Sequence, residues 1–392
     1  MTERLRIENL YKVFSDRPAP ALAMLKAGRR KADVLEALGE VVGLDDVSLG
    51  VPSGAIYMIM GLSGSGKSTL ARCINRLNEP SAGRILLDGD DICALDEPGL
   101  REVRRNRISM VFQHFALLPN RRVIENVEFG LKLRGMPAAE RRRRAEEVLS
   151  IVGLARWAYH MPQELSGGMR QRVGLARALA TEADVLIMDE AFSALDPLIR
   201  TEMQDELLRL QKTLNKTILF ITHDFQEALR LGTRIAIMAD GRLVREGTPQ
   251  NIVMEPGSDY VAAFTRDVDR ARLFDARSVM TALSPLWQGQ GKTVMASNAG
   301  APGFLLDAQA RVLGTLDGAQ VASACRGEAV PQANGQFTSV SASMRLIDVA
   351  GRCGGEHPIG VTDDDGKLIG VLDAKQVLAR IGAGVGAGAQ HV

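Results

Sequence analysis

Short apolar runs alternate with longer amphipathic segments over the first two thirds of the chain. An alternating segment at 4–14 predicts a strand, a charged stretch at 22–40 predicts a helix, and residues 44–51 predict a second strand. The apolar runs that follow predict buried strands at 55–60, 83–88, 108–113, 184–189, 217–222 and 234–238. Because helical segments separate these strands, the pattern predicts an α/β domain with a parallel sheet.

The pattern changes after Thr265. Residues 266–276 are typical of a linker, and 277–382 contain two similar segments about fifty residues apart. The repeated segments are Gly303–Asp307 with Val312–Asp317, and Ile359–Asp363 with Leu368–Asp373. Each predicts a strand, a polar turn, a strand with a central glycine, and then a helix. The Gly/Ala-rich residues 383–392 predict a flexible tail.

Composition narrows the class of protein. The formal net charge is +1, which gives no overall attraction to nucleic acid or to an acidic membrane. Cys73, Cys93, Cys325 and Cys353 are far apart and make no metal-ligand pattern, so we interpret them as reduced thiols. The N-terminal segment has no apolar core of a secretory signal, and no run approaches the roughly 18 apolar residues of a membrane span. We therefore expect any membrane channel to be a separate chain.

The run Arg141–Arg144 is the one strongly basic segment that could indicate nucleic-acid binding. Acidic residues flank it at helical spacing, namely Glu140, Glu146 and Glu147. Charges of both signs at this spacing favour a solvated helix face, and we expect no nucleic-acid partner.

Residues 61–68 match the phosphate-loop pattern G-x-x-x-x-G-K-S, and they lie between a predicted strand and a predicted helix, as this motif requires. The glycines let backbone N–H groups turn toward a phosphate. Lys67 supplies a positive charge to the β- and γ-phosphates, and the Ser68 hydroxyl is a ligand for Mg²⁺. We predict nucleotide contacts from Gly61, Ser63, Gly64, Ser65, Gly66, Lys67, Ser68 and Thr69.

An acidic pair ends the apolar run at 184–189. We expect Asp189 to hold Mg²⁺ indirectly, from behind its direct ligands, and Glu190 to orient the attacking water and accept its proton. Gln113 and His223 end two other predicted strands, where Gln113 could contact both Mg²⁺ and water, and His223 could contact the γ-phosphate. Because ligands of open α/β sheets bind at the carboxyl ends of strands, these side chains should converge.

Between these two motifs lies the sequence Leu-Ser-Gly-Gly-Met at 165–169. Gly167 and Gly168 leave their backbone N–H groups free to approach a phosphate. Ser166 adds a hydroxyl and could cap a helix whose N-terminus favours anions. We interpret the segment as a second phosphate clamp.

Together these motifs resemble the nucleotide-binding subunits of ABC importers, over residues 1–265. The resemblance implies an α/β P-loop NTPase (RecA-like) domain, with a helical subdomain at about 115–172. It implies ATP and Mg²⁺ as cofactors and a head-to-tail homodimer, in which each ATP lies between one P-loop and the partner's segment 165–169. The aromatic that stacks on adenine would be Phe14, with Tyr11 as the second choice.

A narrower resemblance is to glycine betaine/proline-type transporter ATPases and the related choline-uptake ATPases. It rests on the insertion between Phe14 and Leu44, on residues 111–131 and 189–200, and on Asp259–Val261. It implies a peripheral subunit at the cytoplasmic face of the inner (plasma) membrane. Such a subunit powers import of quaternary amines through a separate transmembrane permease that an external, or periplasmic, substrate-binding protein supplies. Another small solute remains an alternative.

Residues 277–382 resemble a tandem pair of CBS modules, an α+β domain that this subfamily carries. Adenosine-binding modules place a carboxylate three residues after a Thr or Ser that follows the central glycine. The matching positions here are Asp317 with Gln320, and Asp373 with Gln376, which argues against an adenosine nucleotide. A dimerising, permease-contacting role and a regulatory role both remain open.

Two other classes fit the sequence less well. Non-transport ABC ATPases of DNA repair or translation carry two ATPase copies or a long coiled coil, and neither pattern is found in this sequence. Asp96–Gly99 matches the D-x-x-G pattern of GTPases, but no guanine-reading N-K-x-D follows it.

Overall fold

The computed structural model describes residues 2–112, 116–193, 195–328, 332–333, 337–353 and 359–382. The chain divides into two compact units, Met1–Ala262 and Ala263–Val392. Within the described ranges, every helix is too short or too polar to cross a membrane.

The first unit is built from ten strands and eleven helices among the described residues. The strands are β1 Glu3–Phe14, β2 Val41–Pro52, β3 Ile56–Met60, β4 Ala82–Leu87, β5 Asp90–Asp91, β6 Ile108–Val111, β7 Val185–Asp189, β8 Thr217–Thr222, β9 Arg234–Ala239 and β10 Arg242–Gly247. The helices are α1 Ala19–Lys26, α2 Lys31–Leu38, α3 Lys67–Ile74, α4 Glu97–Asn106, α5 Val123–Leu133, α6 Ala138–Ile151, α7 Gly167–Ala180, α8 Pro197–Leu214, α9 Phe225–Leu231, α10 Pro249–Met254 and α11 Asp259–Thr265, which runs into the second unit.

Two sheets form this unit. An antiparallel sheet has the order β2-β1-β4-β5, and a six-stranded sheet has the order β10-β9-β3-β8-β7-β6. All strands of the larger sheet run parallel except β10. Every residue of β3, β7 and β8 is buried, because helices and the antiparallel sheet pack on this parallel sheet. The predicted α/β domain with a buried parallel sheet is confirmed.

One hydrophobic core joins the two sheets. It contains Leu5 and Val47 from the antiparallel sheet, Ile59 and Ile187 from the parallel sheet, and Leu70 from α3. Since α3 follows β3 after the short loop 61–66, this packing fixes the start of α3 at the carboxyl edge of the parallel sheet. That edge is where the predicted site residues should converge.

The insertion between β1 and β2 differs from the single helix predicted at 22–40. It forms α1 and α2, and the break lies at Gly28, whose φ is +83°. The N–H of Gly28 donates to Leu25 and that of Arg29 donates to Met24, at 2.9 and 3.0 Å. This pair of bonds is the usual way in which a left-handed glycine ends a helix.

The helices α5, α6 and α7, which are consecutive in the sequence, pack on one another. Arg141 and Arg142 both pair with the buried Glu128. Arg144 pairs with Glu147 at 3.0 Å and with Glu182 at 2.8 Å. The arginine run is thus part of an ion-pair network within the protein. Three of its four residues are partly buried, which differs from the solvated helix face predicted.

The second unit contains eight strands and four helices among the described residues. Its strands are β11 Thr281–Ala282, β12 Ser284–Gly289, β13 Lys292–Ala296, β14 Gly303–Leu306, β15 Val312–Leu316, β16 Thr338–Ser341, β17 Ile359–Thr362 and β18 Leu368–Leu372. Its helices are α12 Arg270–Leu273, α13 Gly318–Cys325, α14 Leu346–Ala350 and α15 Ala374–Gly382. The sheets have the orders β11-β18-β17-β16 and β12-β13-β14-β15.

The second unit shows the predicted order of elements twice, as β14-turn-β15-α13 and as β17-turn-β18-α15. The segment predicted as a linker, 266–276, differs from an extended connection because it contains α12. Phe274 is fully buried, and its carbonyl accepts a hydrogen bond from the N–H of Leu346 at 3.0 Å. From Arg270 onward, this segment is therefore packed into the second unit. The predicted tail at 383–392 lies outside the described residues.

Candidate nucleotide-binding site

The phosphate loop lies between the end of β3 and the start of α3. Gly66 has a φ of +100°, and a Cβ atom there would lie 2.6 Å from the carbonyl oxygen of Gly43. Gly61 is as closely confined, since its Cβ would lie 2.2 Å from the carbonyl oxygen of Met238. Both positions require glycine, and so the loop can bring its backbone close to a ligand.

Lys67 is folded back over the loop that precedes it. Its side chain is buried, and Nζ donates to the carbonyl oxygens of Gly61 at 2.8 Å and Leu62 at 2.9 Å. Burial lowers the pKa of Lys67, and the nearby carboxylates Glu190 and Asp189 oppose that shift. An ammonium group whose described hydrogen bonds go to neutral carbonyls in a desolvated place is well suited to an anionic ligand.

Ser68 and Asp189 meet beside this lysine. The Ser68 hydroxyl donates to Oδ1 of Asp189 at 3.0 Å, and Asp189 is only 2% exposed. Burial raises the pKa of Asp189, while the hydrogen bond from Ser68 lowers it. A bound cation would stabilise this buried carboxylate, and a hydroxyl with a carboxylate is the kind of oxygen donor set that Mg²⁺ takes. These residues fit a Mg²⁺ ion.

Glu190 and His223 face one another across the carboxyl ends of β7 and β8. Oε1 of Glu190 lies 3.4 Å from Nδ1 of His223, whose side chain is largely exposed. Glu190 has a φ of +49°, which is uncommon for a residue with a side chain, and its N–H donates to the carbonyl of Ile221 at 3.0 Å. This left-handed turn directs the chain away from the sheet immediately after the acidic pair.

A cavity of about 710 Å³ connects these groups to Phe14. It is lined by Phe14, Val41, Val42, Gly43, Leu62, Ser63, Gly64, Gly66, Lys67, Ser68, Thr69, Glu190 and His223. Phe14 is 47% exposed, whereas Tyr11, the other aromatic considered for base stacking, is buried in a hydrophobic cluster. Phe14 is therefore the aromatic with a face available to a base. Ser65 and Asp189 lie just beneath the lining residues as buried side chains.

Ser166, Gly167 and Gly168 are not among the described residues that line this cavity. Ser166 is the N-cap of α7, where its Oγ accepts a hydrogen bond from the N–H of Met169 at 3.3 Å, and the two glycines form the first turn. The capping prediction is confirmed. Among the described residues that line the cavity, none comes from 165–169. The segment thus presents an exposed helix N-terminus away from the cavity of its own subunit.

One predicted site residue falls outside the described residues. Gln113 lies in the gap at 113–115, so its proposed contacts stay a prediction. Asp196 caps α8, since its carboxylate accepts from the N–H of Ile199 at 3.0 Å.

Gln171 is a residue near the site that the sequence motifs did not indicate. It is buried in α7, and its Nε2 lies 3.5 Å from the carbonyl oxygen of Glu190. The Oγ and N–H of Ser193 donate to the same oxygen at 2.9 and 3.2 Å. The only signal in the sequence was a glutamine on the buried face of a helix, which is too common to identify a contact.

The fold and these contacts define a P-loop nucleotide hydrolase. The family described as ABC transporter matches residues 44–193. The chain is 43% identical, over 376 residues, to the glycine betaine transport ATP-binding protein OpuAA of Bacillus subtilis, covering 94% of this chain and 90% of the relative. It is 53% identical to the glycine betaine/proline betaine transport system ATP-binding protein ProV of Escherichia coli, over 71% of this chain and 70% of that one.

A solved structure resembles the first unit closely enough to compare. It is the dimeric post-hydrolysis state of an ATP-binding cassette bound to ADP and Pi, with 33% identity and a TM-score of 0.55. The match covers 62% of this chain and 98% of that one. The chain therefore belongs to the ABC transporter ATP-binding proteins, in the branch that includes the glycine betaine transport ATP-binding proteins. Members of this family bind and hydrolyse ATP.

Proposed function

We propose that this chain is the ATP-hydrolysing subunit of an importer for quaternary amines such as glycine betaine, proline betaine or choline. The observation that carries the proposal is the convergence of Lys67, Glu190 and His223 on one cavity, in a chain that aligns over 94% of its length with a glycine betaine transport ATP-binding protein. Asp189 joins them through its hydrogen bond from Ser68, which also lines the cavity. Hydrolysis would then drive a separate membrane permease.

On nucleotide binding, hydrogen bonds within the phosphate loop are replaced by contacts with the phosphates. Lys67 exchanges its two carbonyl partners for the β- and γ-phosphates, which are stronger acceptors. The N–H groups of 63–69 surround the phosphates, and the ring of Phe14 stacks on adenine. Ser68 and Asp189, with Gln113 in the segment not described, would hold Mg²⁺, which neutralises charge on the phosphates.

Hydrolysis requires a group that activates water. Glu190 lines the cavity at the carboxyl edge of the sheet, where its carboxylate orients the water and takes one proton as the water oxygen attacks the γ-phosphorus. The bond from that phosphorus to the bridging β-phosphate oxygen breaks, and ADP leaves. His223, 3.4 Å from that carboxylate, contacts the γ-phosphate and keeps Glu190 aligned. The left-handed turn at Glu190 supports this role, because strained backbone is often retained at reacting groups.

The second clamp is supplied by a partner subunit. Ser166, Gly167 and Gly168 lie at an exposed helix N-terminus and do not line their own cavity. We propose a head-to-tail homodimer in which this N-terminus contacts the γ-phosphate of the ATP held by the other chain. The dimer named for the solved relative supports this arrangement.

The same proposal includes partners and a second module. The permease is a transmembrane protein that holds this chain at the cytoplasmic face of the membrane, and an external binding protein delivers the amine. Residues 277–382 form a CBS-like tandem pair. The repeated strand-turn-strand-helix order supports this assignment, and the alignment with the Bacillus relative is too long to end within the first unit.

Uptake of labelled solute tests the function. Cells that lack this chain should fail to take up glycine betaine or choline through its permease, and the wild-type chain should restore uptake. The Glu190→Gln variant, expressed at the same level, should not restore it, because hydrolysis needs the base. Normal uptake in cells without the chain would contradict the proposal.

A further inference from the structure

Tyr260 connects the phosphate loop to the sheet. It lies in α11, far along the chain from the loop, and its hydroxyl accepts a hydrogen bond from the N–H of Leu62 at 3.2 Å. The same hydroxyl donates to the carbonyl oxygen of Met238, at the end of β9, at 3.1 Å. One oxygen atom thus links the loop to a strand.

Leu62, whose N–H is bound by the Tyr260 hydroxyl, is central to the phosphate loop. The carbonyl oxygen of Leu62 accepts from the N–H of Ser65 at 3.2 Å and from Nζ of Lys67 at 2.9 Å. The Leu62 side chain is 58% exposed, so packing does little to fix this residue. Hydrogen bonds on both sides of the residue therefore determine its position, and one of these bonds comes from Tyr260.

The other end of the link is rigid. Met238 is fully buried in the core that joins the two sheets. Its carbonyl oxygen also confines the start of the loop, because a Cβ at Gly61 would lie 2.2 Å from it. The Tyr260 hydroxyl thus reaches from a fixed point of the sheet to the next peptide of the loop.

We propose that the Tyr260 hydroxyl is a positioning group. Through its hydrogen bond with the N–H of Leu62, it holds the phosphate-binding loop in the conformation that receives ATP. The inference rests on the proposed function, since it assumes that the cavity binds ATP. Tyr260 is not among the described residues that line the cavity. It acts by preorganising Leu62 and, through the Leu62 carbonyl, the resting position of Lys67.

Removing only the hydroxyl isolates this role. Tyr260→Phe keeps the ring and its packing, and it leaves the N–H of Leu62 without that partner. We expect the Kd and the KM for ATP, measured with Mg²⁺ on the full chain, to rise roughly 3- to 10-fold, as for the loss of one hydrogen bond. The kcat at saturating ATP should stay within about twofold, because Lys67 and Glu190 are unchanged.

Tyr159→Phe is the matched control. Tyr159 is exposed and does not line the cavity, so loss of its hydroxyl should leave both Kd and KM unchanged. An unchanged Kd in Tyr260→Phe would overturn the positioning role. So would an equal change in the control, or a fall in kcat with no change in Kd.

Hydrogen exchange tests the contact without relying on catalysis. A peptide covering 61–66 should exchange faster in Tyr260→Phe than in the wild type, while a peptide covering 217–222 in the buried β8 should not change. Equal exchange of 61–66 in both proteins would overturn the inference. A wild-type chain that neither binds nor hydrolyses ATP would instead contradict the proposed function, whatever the exchange shows.

Discussion

Acidic residues follow apolar strands in both units, but the two units use them differently. In the first unit, Asp189 ends β7 as a buried carboxylate that accepts from the Ser68 hydroxyl. In the second unit, Asp317 follows β15 and accepts from the N–H of Gln320 at 2.8 Å, as the N-cap of α13. Asp373 follows β18, and its carboxylate accepts from the N–H of Lys375 at 2.8 Å.

The difference depends on what the chain does next. After β15 and β18, a helix begins within two residues, and the carboxylate serves its first turn. After β7, the left-handed turn at Glu190 delays the next helix until Pro197, so that both acids remain at the strand edge. In this chain, the acidic residue that remains available for chemistry is the one whose carboxylate does not cap a following helix.

Gln320 and Gln376 follow the same logic. Their Oε1 atoms accept from the N–H of Asp317 at 2.9 Å and of Asp373 at 3.2 Å. Gln320 and Asp317 thus form a reciprocal cap, whereas the Asp373 carboxylate accepts from the N–H of Lys375 and not from that of Gln376. These are the positions where adenosine-binding modules would carry a carboxylate, so the structure gives both residues a structural use.

The largest effect should come from the base in the first unit. Glu190→Gln should lower the rate of ATP hydrolysis by about 100-fold or more, because the amide cannot take the proton of the water. ATP binding should persist, since it depends on Lys67 and the loop. Steady-state hydrolysis and equilibrium ATP binding measure the two effects, and rapid turnover by this variant would move the base to another residue.

Ser166→Arg should also lower hydrolysis, by about 100-fold, because it blocks a phosphate contact that acts in the partner's site. Thr248→Arg is the matched control. Thr248 likewise caps a helix, α10, through a bond from the N–H of Asn251 at 3.2 Å, and it does not line the cavity. Thermal unfolding should show similar losses of stability for both variants. The rate of ATP hydrolysis should fall only for Ser166→Arg. Full activity of a folded Ser166→Arg chain would contradict the shared site.

Phe14→Ala should raise the KM for ATP roughly tenfold, because one stacking interaction is lost. Phe14→Tyr keeps an aromatic face and should behave like the wild type. Initial rates at varied ATP concentration measure both variants. An unchanged KM in Phe14→Ala would show that the base stacks elsewhere.

The smallest effect should come from the second unit. Asp317→Ala removes the cap of α13 and should lower the free energy of unfolding by about 1 kcal/mol. Hydrolysis by the purified chain should not change. Denaturant unfolding and the hydrolysis assay measure the two quantities, and a large fall in the rate would mean that Asp317 has a role beyond capping.

Much of the fold was predictable because local pattern determines it. The apolar runs predicted strands β3, β7 and β8 to within a residue or so, since buried parallel strands are continuously apolar. The break at Gly28 was missed because a charged, amphipathic stretch continues across it. Helix α12 was missed because its four residues look like a linker until Phe274 is seen to be buried.

The candidate site was also predictable only in part. Lys67, Ser68, Asp189, Glu190 and Ser166 were predicted from motifs whose spacing carries the chemistry. Tyr260 and Gln171 were not predicted, since contacts between residues far apart in the chain define their positions. A tyrosine on a late helix has no local pattern that points to Leu62.

The most direct test of the shared site is a cross-link between two different chains. One chain carries Ser63→Cys and the other carries Ser166→Cys, both with Glu190→Gln and with Cys93, Cys325 and Cys353 replaced by serine; Ser63 and Ser166 are exposed. With ATP and a short thiol cross-linker, the mixture should give a covalent dimer, and neither variant alone should do so. A mixture without an ATP-dependent covalent dimer, or equal cross-linking of each variant alone, would contradict a head-to-tail pair with shared ATP sites.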